Sequence, residues 1–177
     1  MKKLFISISF LSLALFSCST ENNDVTTQEQ PKFAMTAKIN GETFEANNPF
    51  GTNMFSSTNI WIYYPLEDFV MLQGRKVGIY GDPEINIWLK KTDIAVGTYV
   101  FGAETFDTPP SHFIDLTDLT TSDFEYTKSG TISITSVNTT TKIVTGTFSF
   151  KSTAEVDPSA PVIKTVTDGT FNYQYLE

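Results

Sequence analysis

The sequence predicts an all-β protein: a single antiparallel β-sandwich or flattened barrel of about nine strands, following a cleaved signal peptide. Three observations lead to this prediction. Short runs of alternating polar and apolar residues recur along the chain, turn residues separate them at close intervals, and no amphipathic helix of useful length follows the N-terminus. Threonine, a β-branched residue that strands favour, supplies 26 of the 177 residues. Residues 33–177 are enough for one β-domain and too few for two.

The clearest pattern is a predicted hairpin in residues 129–150. Its apolar side chains, with one from a later strand, share a face: Ile132, Ile134, Phe148, Phe150 and Phe171. Its hydroxyl side chains take the other face: Thr131, Ser133, Thr135, Thr147 and Ser149. Because successive side chains of a strand point to opposite faces, we expect the first set to be buried and the second exposed. Ile143 breaks the alternation and predicts a bulge or a register ambiguity of one residue.

A dense apolar run predicts a strand at residues 60–64, and further strands are predicted at 69–73, 84–91 and 97–101. Two dipeptides typical of tight turns, Asn40-Gly41 and Asp168-Gly169, predict hairpin connections. Residues 102–123 show no clear alternation, and we expect a long irregular segment there. Long irregular segments in a compact domain are often functional or mobile.

The N-terminal residues predict that the protein is secreted and anchored by a lipid. Two lysines precede a mostly apolar stretch at residues 4–16, which is shorter than the roughly 20 residues that span a bilayer but suits a secretory signal. The stretch ends in Leu15-Phe16-Ser17-Cys18, which resembles a bacterial lipoprotein signal. The resemblance implies a lipoprotein signal peptide at residues 1–17, acylation of Cys18 and a lipidated tether at 18–32. That tether is too polar to bury a core, so we expect it to be disordered. The alternative is an ordinary signal with an incidental cysteine.

The charge of the chain restricts its partners. Removing residues 1–17 takes away two of 12 basic residues and none of 20 acidic ones, so the net charge moves from −8 to −10. Such acidity argues against nucleic acid as a partner, and it leaves membrane attachment to the lipid. We expect an outer-membrane location, on the periplasmic face or at the cell surface. Glu21 and Asp24 resemble the acidic residues that mark surface export in lipoproteins of Bacteroidetes.

Catalytic and metal-binding candidates are few. His112 is the only histidine, and it suits either a general base or a polar loop residue. Asp115, Asp118 and Asp123 offer hard oxygen ligands for Ca²⁺, or form a solvated acidic loop. No nucleophile elbow, zinc-ligand pattern or EF-hand spacing occurs in the sequence. We therefore predict no catalytic residue, no metal site and no cofactor.

Aromatic residues provide the alternative kind of site. Trp61 lies opposite the isoleucines of its predicted strand, and Trp88 lies opposite Ile85, Ile87 and Leu89. If the isoleucines point inward, Trp61, Tyr63 and Trp88 supply possible ligand contacts by stacking on sugar rings or on a partner protein. The competing interpretation is that both faces of these strands are covered.

Three groups of turn and strand residues occur together. They are 37–41 with Phe44 and Ala46; 97–99 after an Ile-x-Ile strand; and 129–132 with 146–150 and 167–171. This combination is similar to a family of Bacteroidetes lipoproteins of unknown function, the DUF6252 type. The resemblance implies a β-fold and a location in the cell envelope, and it assigns no chemistry to any residue.

The predicted function is non-enzymatic: a lipid-anchored outer-membrane β-domain that binds a glycan, a peptide or a partner such as an envelope protein. Two alternatives remain open. One is a glycan-active hydrolase that uses loop carboxylates, since glycosidases need two carboxyl groups held several ångströms apart. The other is a purely structural envelope lipoprotein.

Overall fold

The computed structural model describes residues 33–46, 65–66, 68–75, 83–103, 111–118 and 123–175. These ranges consist mainly of antiparallel strands, so the all-β prediction is confirmed. They also contain one 3₁₀ segment, Lys91–Asp93. The strands in chain order are β1 (Met35–Ile39), β2 (Glu42–Ala46), β3 (Pro65–Leu66), β4 (Phe69–Arg75), β5 (Pro83–Lys90), β6 (Gly97–Phe101), β7 (His112–Asp118), β8 (Asp123–Asn138), β9 (Ile143–Thr153) and β10 (Lys164–Gln174).

The strands form one curled half-barrel sheet in the order β2-β1-β10-β9-β8-β7-β5-β4-β3, with β6 also paired to β8. β8 joins the two parts of this sheet. Its first residues pair with β7, residues 130–134 pair with β6, and most of its other edge pairs with β9. The curl brings distant strands together, since the Tyr173 hydroxyl of β10 donates to the carbonyl oxygen of Gln73 in β4 over 2.7 Å. The described residues contain no helix long and apolar enough to cross a membrane.

The hydrophobic core lies on the inner face of this sheet. The five side chains predicted to share its dry face are all 4% exposed or less: Ile132, Ile134, Phe148, Phe150 and Phe171. β5 contributes Ile85, Ile87 and Leu89, which are fully buried. The two-residue period of these strands therefore places one apolar row from each strand in a common interior.

The exposed set is confirmed only in part. Thr135, Thr147 and Ser149 are exposed, whereas Thr131 and Ser133 are partly buried. Both partly buried residues lie in the section of β8 that pairs with β6. The hydroxyl groups of Thr98 and Ser133 are 3.0 Å apart and hydrogen-bonded. The extra neighbouring strand therefore lowers their exposure.

One predicted turn is confirmed and one is wrong. Asn40 and Gly41 have φ values of +50° and +88° and connect β1 to β2, as a type I′ hairpin requires. Asp168 also has positive φ, +54°, but β10 runs through it and continues to pair with β9. The ladder shifts register there, so Asp168-Gly169 forms a β-bulge. Bulges and tight turns both use residues that tolerate positive φ, which is why the dipeptide predicted the wrong one.

Two other predictions need correction. The register shift near the β8–β9 connection lies at Thr135, between Ile134 and Ser136, and not at Ile143 of the partner strand. Residues 102–123, predicted to be irregular, contain the seven-residue strand β7. Its alternation is confined to residues 114–117, and the prolines and aspartates around it obscured so short a signal.

Candidate functional site

β4, β5 and β7 carry an unusual set of side chains on the face that points away from the hydrophobic core. Neighbouring residues on the three strands fall into register there, with Gln73, Asn86 and Asp115 in one row and Met71, Trp88 and Phe113 in the next. We call the following residues the second-face cluster: Gln73, Arg75, Glu84, Asn86, Trp88, Phe113 and Asp115. The cluster combines aromatic rings, carboxylates and side-chain amides on adjacent strands.

Trp88 lies at the aromatic end of this cluster. It lies on the face opposite Ile85, Ile87 and Leu89, and it is half-buried. Its ring stacks on Phe113 with centroids 5.6 Å apart and planes at 9°. Phe69 meets Phe113 edge-on, also at 5.6 Å. Three rings from three strands therefore form a continuous aromatic surface, partly open to solvent. The other predicted contacts, Trp61 and Tyr63, and the lipidation residue Cys18 lie outside the described residues.

Asp115 links the aromatic end to the polar end. The Trp88 indole N–H donates to Asp115 Oδ2 over 2.6 Å, and Asn86 Nδ2 donates to Asp115 Oδ1 over 2.8 Å. Asp115 is 3% exposed, so both of its carboxylate oxygens are fixed by short hydrogen bonds away from water. The sequence placed Asp115 in a solvated acidic loop or a calcium site. It lies instead in the middle of a strand, beside the tryptophan.

Arg75 and Glu84 form the far end of the cluster. Arg75 Nε and Nη2 approach Glu84 Oε2 at 2.6 and 2.5 Å, and Gln73 Nε2 donates to Glu84 Oε1. A guanidinium and a carboxylate joined this way make a charge-assisted contact of fixed geometry. Arg75 and Glu84 are Cα partners on adjacent strands, so the sheet itself sets this arrangement.

Two acceptors in the cluster have no donor among the described residues. They are Gln73 Oε1 and Asn86 Oδ1, and both are buried. Gln73 and Asn86 are Cα partners and are only 7% and 5% exposed. Leaving a buried acceptor unsatisfied costs roughly 1–3 kcal/mol, and such groups are rare. Two of them side by side suit a group that brings hydrogen-bond donors. The sequence analysis missed this feature, although its signal was the alternation of polar Glu84 and Asn86 with core isoleucines.

His112 is not the polar loop residue that the sequence suggested. It is 1% exposed on the inner face, where its ring meets Tyr99 in a T-shaped contact 4.2 Å between centroids. Its Nδ1 accepts the backbone N–H of Lys90 over 3.1 Å. Burial lowers the pKa of His112, despite the opposing influence of Ser111 and Asp93. The ring therefore favours its neutral form and packs as a core residue.

Asp118 and Asp123, the other two aspartates considered from the sequence, lie in a different row of the sheet from Asp115. Asp118 and Asp123 are Cα partners where β7 meets β8, and Asp115 lies away from them in the cluster. In the part of the chain that the structure describes, no three His, Cys, Asp or Glu residues are grouped as metal ligands.

A family model described as "Domain of unknown function (DUF6252)" matches residues 31–173, which include nearly all of the described strands. No curated protein and no solved structure matches the chain.

Proposed function

Because the chain belongs to the DUF6252 family, whose description names no activity, we propose its function from its residues and their geometry. The protein is a lipid-anchored lipoprotein of the outer membrane, of the Bacteroidetes type. Its β-domain is a non-enzymatic binding module, and the second-face cluster is its ligand-contact surface. A glycan is the ligand that this surface suits best.

The proposed cellular location rests on the N-terminal sequence. A basic start, an apolar stretch and Cys18 in a lipobox-like setting support export followed by acylation. Several acyl chains on one cysteine anchor a protein stably, whereas one chain binds only marginally. A single exported cysteine has no partner within the chain for a disulfide, so acylation gives it a role.

The binding role rests on one observation: two buried carbonyl oxygens, for which the described residues supply no donor, lie beside an aromatic surface. A sugar ring offers an apolar C–H face for stacking on Trp88 and Phe113, and hydroxyl donors for Gln73 Oε1 and Asn86 Oδ1. The carboxylates of the cluster are already engaged by described donors. The carboxylate oxygens of Glu84 and Asp115 are thus held as hydrogen-bond acceptors, and neither group is positioned to donate a proton to a substrate. This arrangement favours binding over hydrolysis.

The experiment uses the fact that the chain has two tryptophans. Full-length protein in mild detergent is screened against a glycan panel and against outer-membrane extract by fluorescence. Trp61→Phe leaves Trp88 as the sole reporter, and Trp88→Phe leaves Trp61. We expect a glycan that shifts Trp88 emission with Trp61→Phe, and we expect Trp88→Phe to weaken binding measured by calorimetry.

Three results would contradict the proposal. Binding that survives Trp88→Phe and Asn86→Leu at full strength places the ligand elsewhere. Turnover of the glycan during the screen identifies the hydrolase alternative. Failure to bind any glycan, together with binding to an envelope protein, would show that the ligand is a protein and not a glycan.

A further inference from the structure

A groove lies on a different part of the sheet from the second-face cluster. The groove, of about 360 Å³, runs over the outward side of β6, β8, β9 and β10. Its outward-pointing lining consists of five hydroxyl side chains, one lysine and one valine: Ser129, Thr131, Ser149, Thr165, Thr167, Lys151 and Val100. We call it the hydroxyl groove. It shares no residue with the second-face cluster.

The strand register arranges these side chains in rows. Lys151 of β9 lies between its Cα partners Ser129 on β8 and Thr165 on β10. Thr131 is the Cα partner of Ser149 in the next row. Adjacent strands are roughly 4.8 Å apart, so each row presents neighbouring polar groups at that spacing. Hydroxyl groups both donate and accept, which suits a ligand with many hydroxyls of its own.

β-Bulges border the groove on both sides. The β8–β9 ladder shifts register at Lys128, next to Ser129, and the β9–β10 ladder shifts between Val166 and Gly169. A bulge bends its strand and re-aims the adjacent side chains. The two bulges therefore bend the sheet at the edges of the groove, whereas a regular ladder would leave this face flatter.

The charge of the groove is opposite to that of the protein. The chain has a net charge of −8, yet Lys151 is the one charged residue of the lining. Lys151 is exposed, and no hydrogen bond or ion pair joins its side-chain ammonium to another described residue. Asp168, which lies just beyond Thr167, is paired with Lys38 at 2.8 Å. The nearby carboxylate is thus occupied, and the Lys151 ammonium remains available to an anion.

From these observations we propose that the hydroxyl groove binds an anionic saccharide. Its carboxylate or sulfate group contacts the Lys151 ammonium, and its ring hydroxyls exchange hydrogen bonds with Thr131, Ser149 and Thr165. Val100, 79% exposed at the rim, offers an apolar contact to a ring face. This site goes beyond the proposed function and does not depend on it, since no residue of the second-face cluster takes part.

The test titrates full-length protein in mild detergent with three probes: a galacturonic acid hexamer, a heparin-derived sulfated hexasaccharide and a neutral maltohexaose. We expect one or both anionic probes to bind and the neutral probe not to bind. Lys151→Ala should weaken binding of the anionic probe about two- to fivefold, the range for losing one solvent-exposed ion pair. Lys151→Arg should retain most of the affinity. Thr131→Val keeps the β-branched shape, removes the hydroxyl, and should weaken binding about threefold.

The controls separate this site from the proposed one. Lys91→Ala removes the same charge outside the groove, and Trp88→Phe alters the second-face cluster. Neither should change binding of the anionic probe. The proposal is overturned if no anionic probe binds, if maltohexaose binds equally well, or if Lys151→Ala matches Lys91→Ala. Circular dichroism of each variant checks that the fold is retained.

Discussion

Replacing Phe148 with alanine should destabilise the fold strongly. The Phe148 ring is 4% exposed, and its centroid lies 6.4 Å from that of Phe150 and 6.5 Å from that of Phe171. A Cβ built on Gly169 would lie 2.6 Å from the same ring, so the ring packs directly against the glycine of the bulge. Glycine has no side chain that can move into the cavity left by the ring. We therefore expect the loss of about 3–5 kcal/mol typical of a buried Phe→Ala change.

Urea denaturation of full-length protein, followed by circular dichroism, measures this loss. Thr147→Ala is the matched control, since Thr147 is the preceding residue of β9 and is exposed. It should change the free energy of unfolding by no more than about 0.5 kcal/mol. A Phe148→Ala loss below about 1 kcal/mol would show that the assignment of inner and outer faces is wrong. Gly169→Ala provides a second check, because its new Cβ would lie 2.5 Å from the Phe148 carbonyl oxygen and should also destabilise the fold.

Three further predictions concern the anchor, the cluster and the core histidine. Cys18→Ala should produce an unacylated protein that leaves the membrane fraction. An intact mass of the unsubstituted protein that places its mature N-terminus at a residue other than Cys18 would contradict this. Gln73→Met removes an acceptor that has no donor among the described residues, but it also removes the Gln73 Nε2 donor to the buried Glu84 Oε1. It should therefore lower the free energy of unfolding by about 1–3 kcal/mol and weaken glycan binding; unchanged glycan binding would contradict this. Burial lowers the pKa of His112 below its usual 6.5, so the native state binds this proton less readily than the unfolded chain does. Its contribution to stability is therefore present above about pH 6.5 and falls as the pH drops below that value. His112→Gln should flatten the fall in stability between pH 6.5 and pH 5, and an unchanged slope would contradict the assignment.

The sequence predicted the fold where a single face of a strand is buried. In β8 and β9 the alternation of apolar and hydroxyl residues matches the observed inner and outer faces, because each residue's face is set by the period of the strand alone. The Asn40-Gly41 turn was equally predictable, since few residues tolerate two consecutive positive φ values.

The same reasoning failed where burial depends on distant parts of the chain. The bulge at Asp168-Gly169 has the residues of a turn, and only pairing of β10 with β9 on both sides of it shows the difference. His112 looked like a loop residue because its strand has few alternating positions. Its burial arises from contact with Tyr99 of β6, which the local sequence does not indicate.

The candidate site was half predictable. The two-residue alternation of the strand predicted that Trp88 lies opposite the core residues of β5, and the structure places it there. Asp115 was treated as a competitor for the ligand site, yet it accepts the Trp88 indole N–H. Sheet register creates that contact between residues 27 positions apart, so no sequence spacing shows it. Substituting Asp115 alone therefore does not separate an acidic site from an aromatic one.

The most direct test of the second-face cluster as a binding site is the Trp88 indole N–H signal in a ¹⁵N–¹H spectrum. The protein has two tryptophans, so Trp61→Phe assigns the signal unambiguously. On titration with the glycan that binds best, the account predicts that this signal and the side-chain amide signals of Gln73 and Asn86 move together and saturate with the same dissociation constant. An unmoved Trp88 signal at saturating ligand would contradict it.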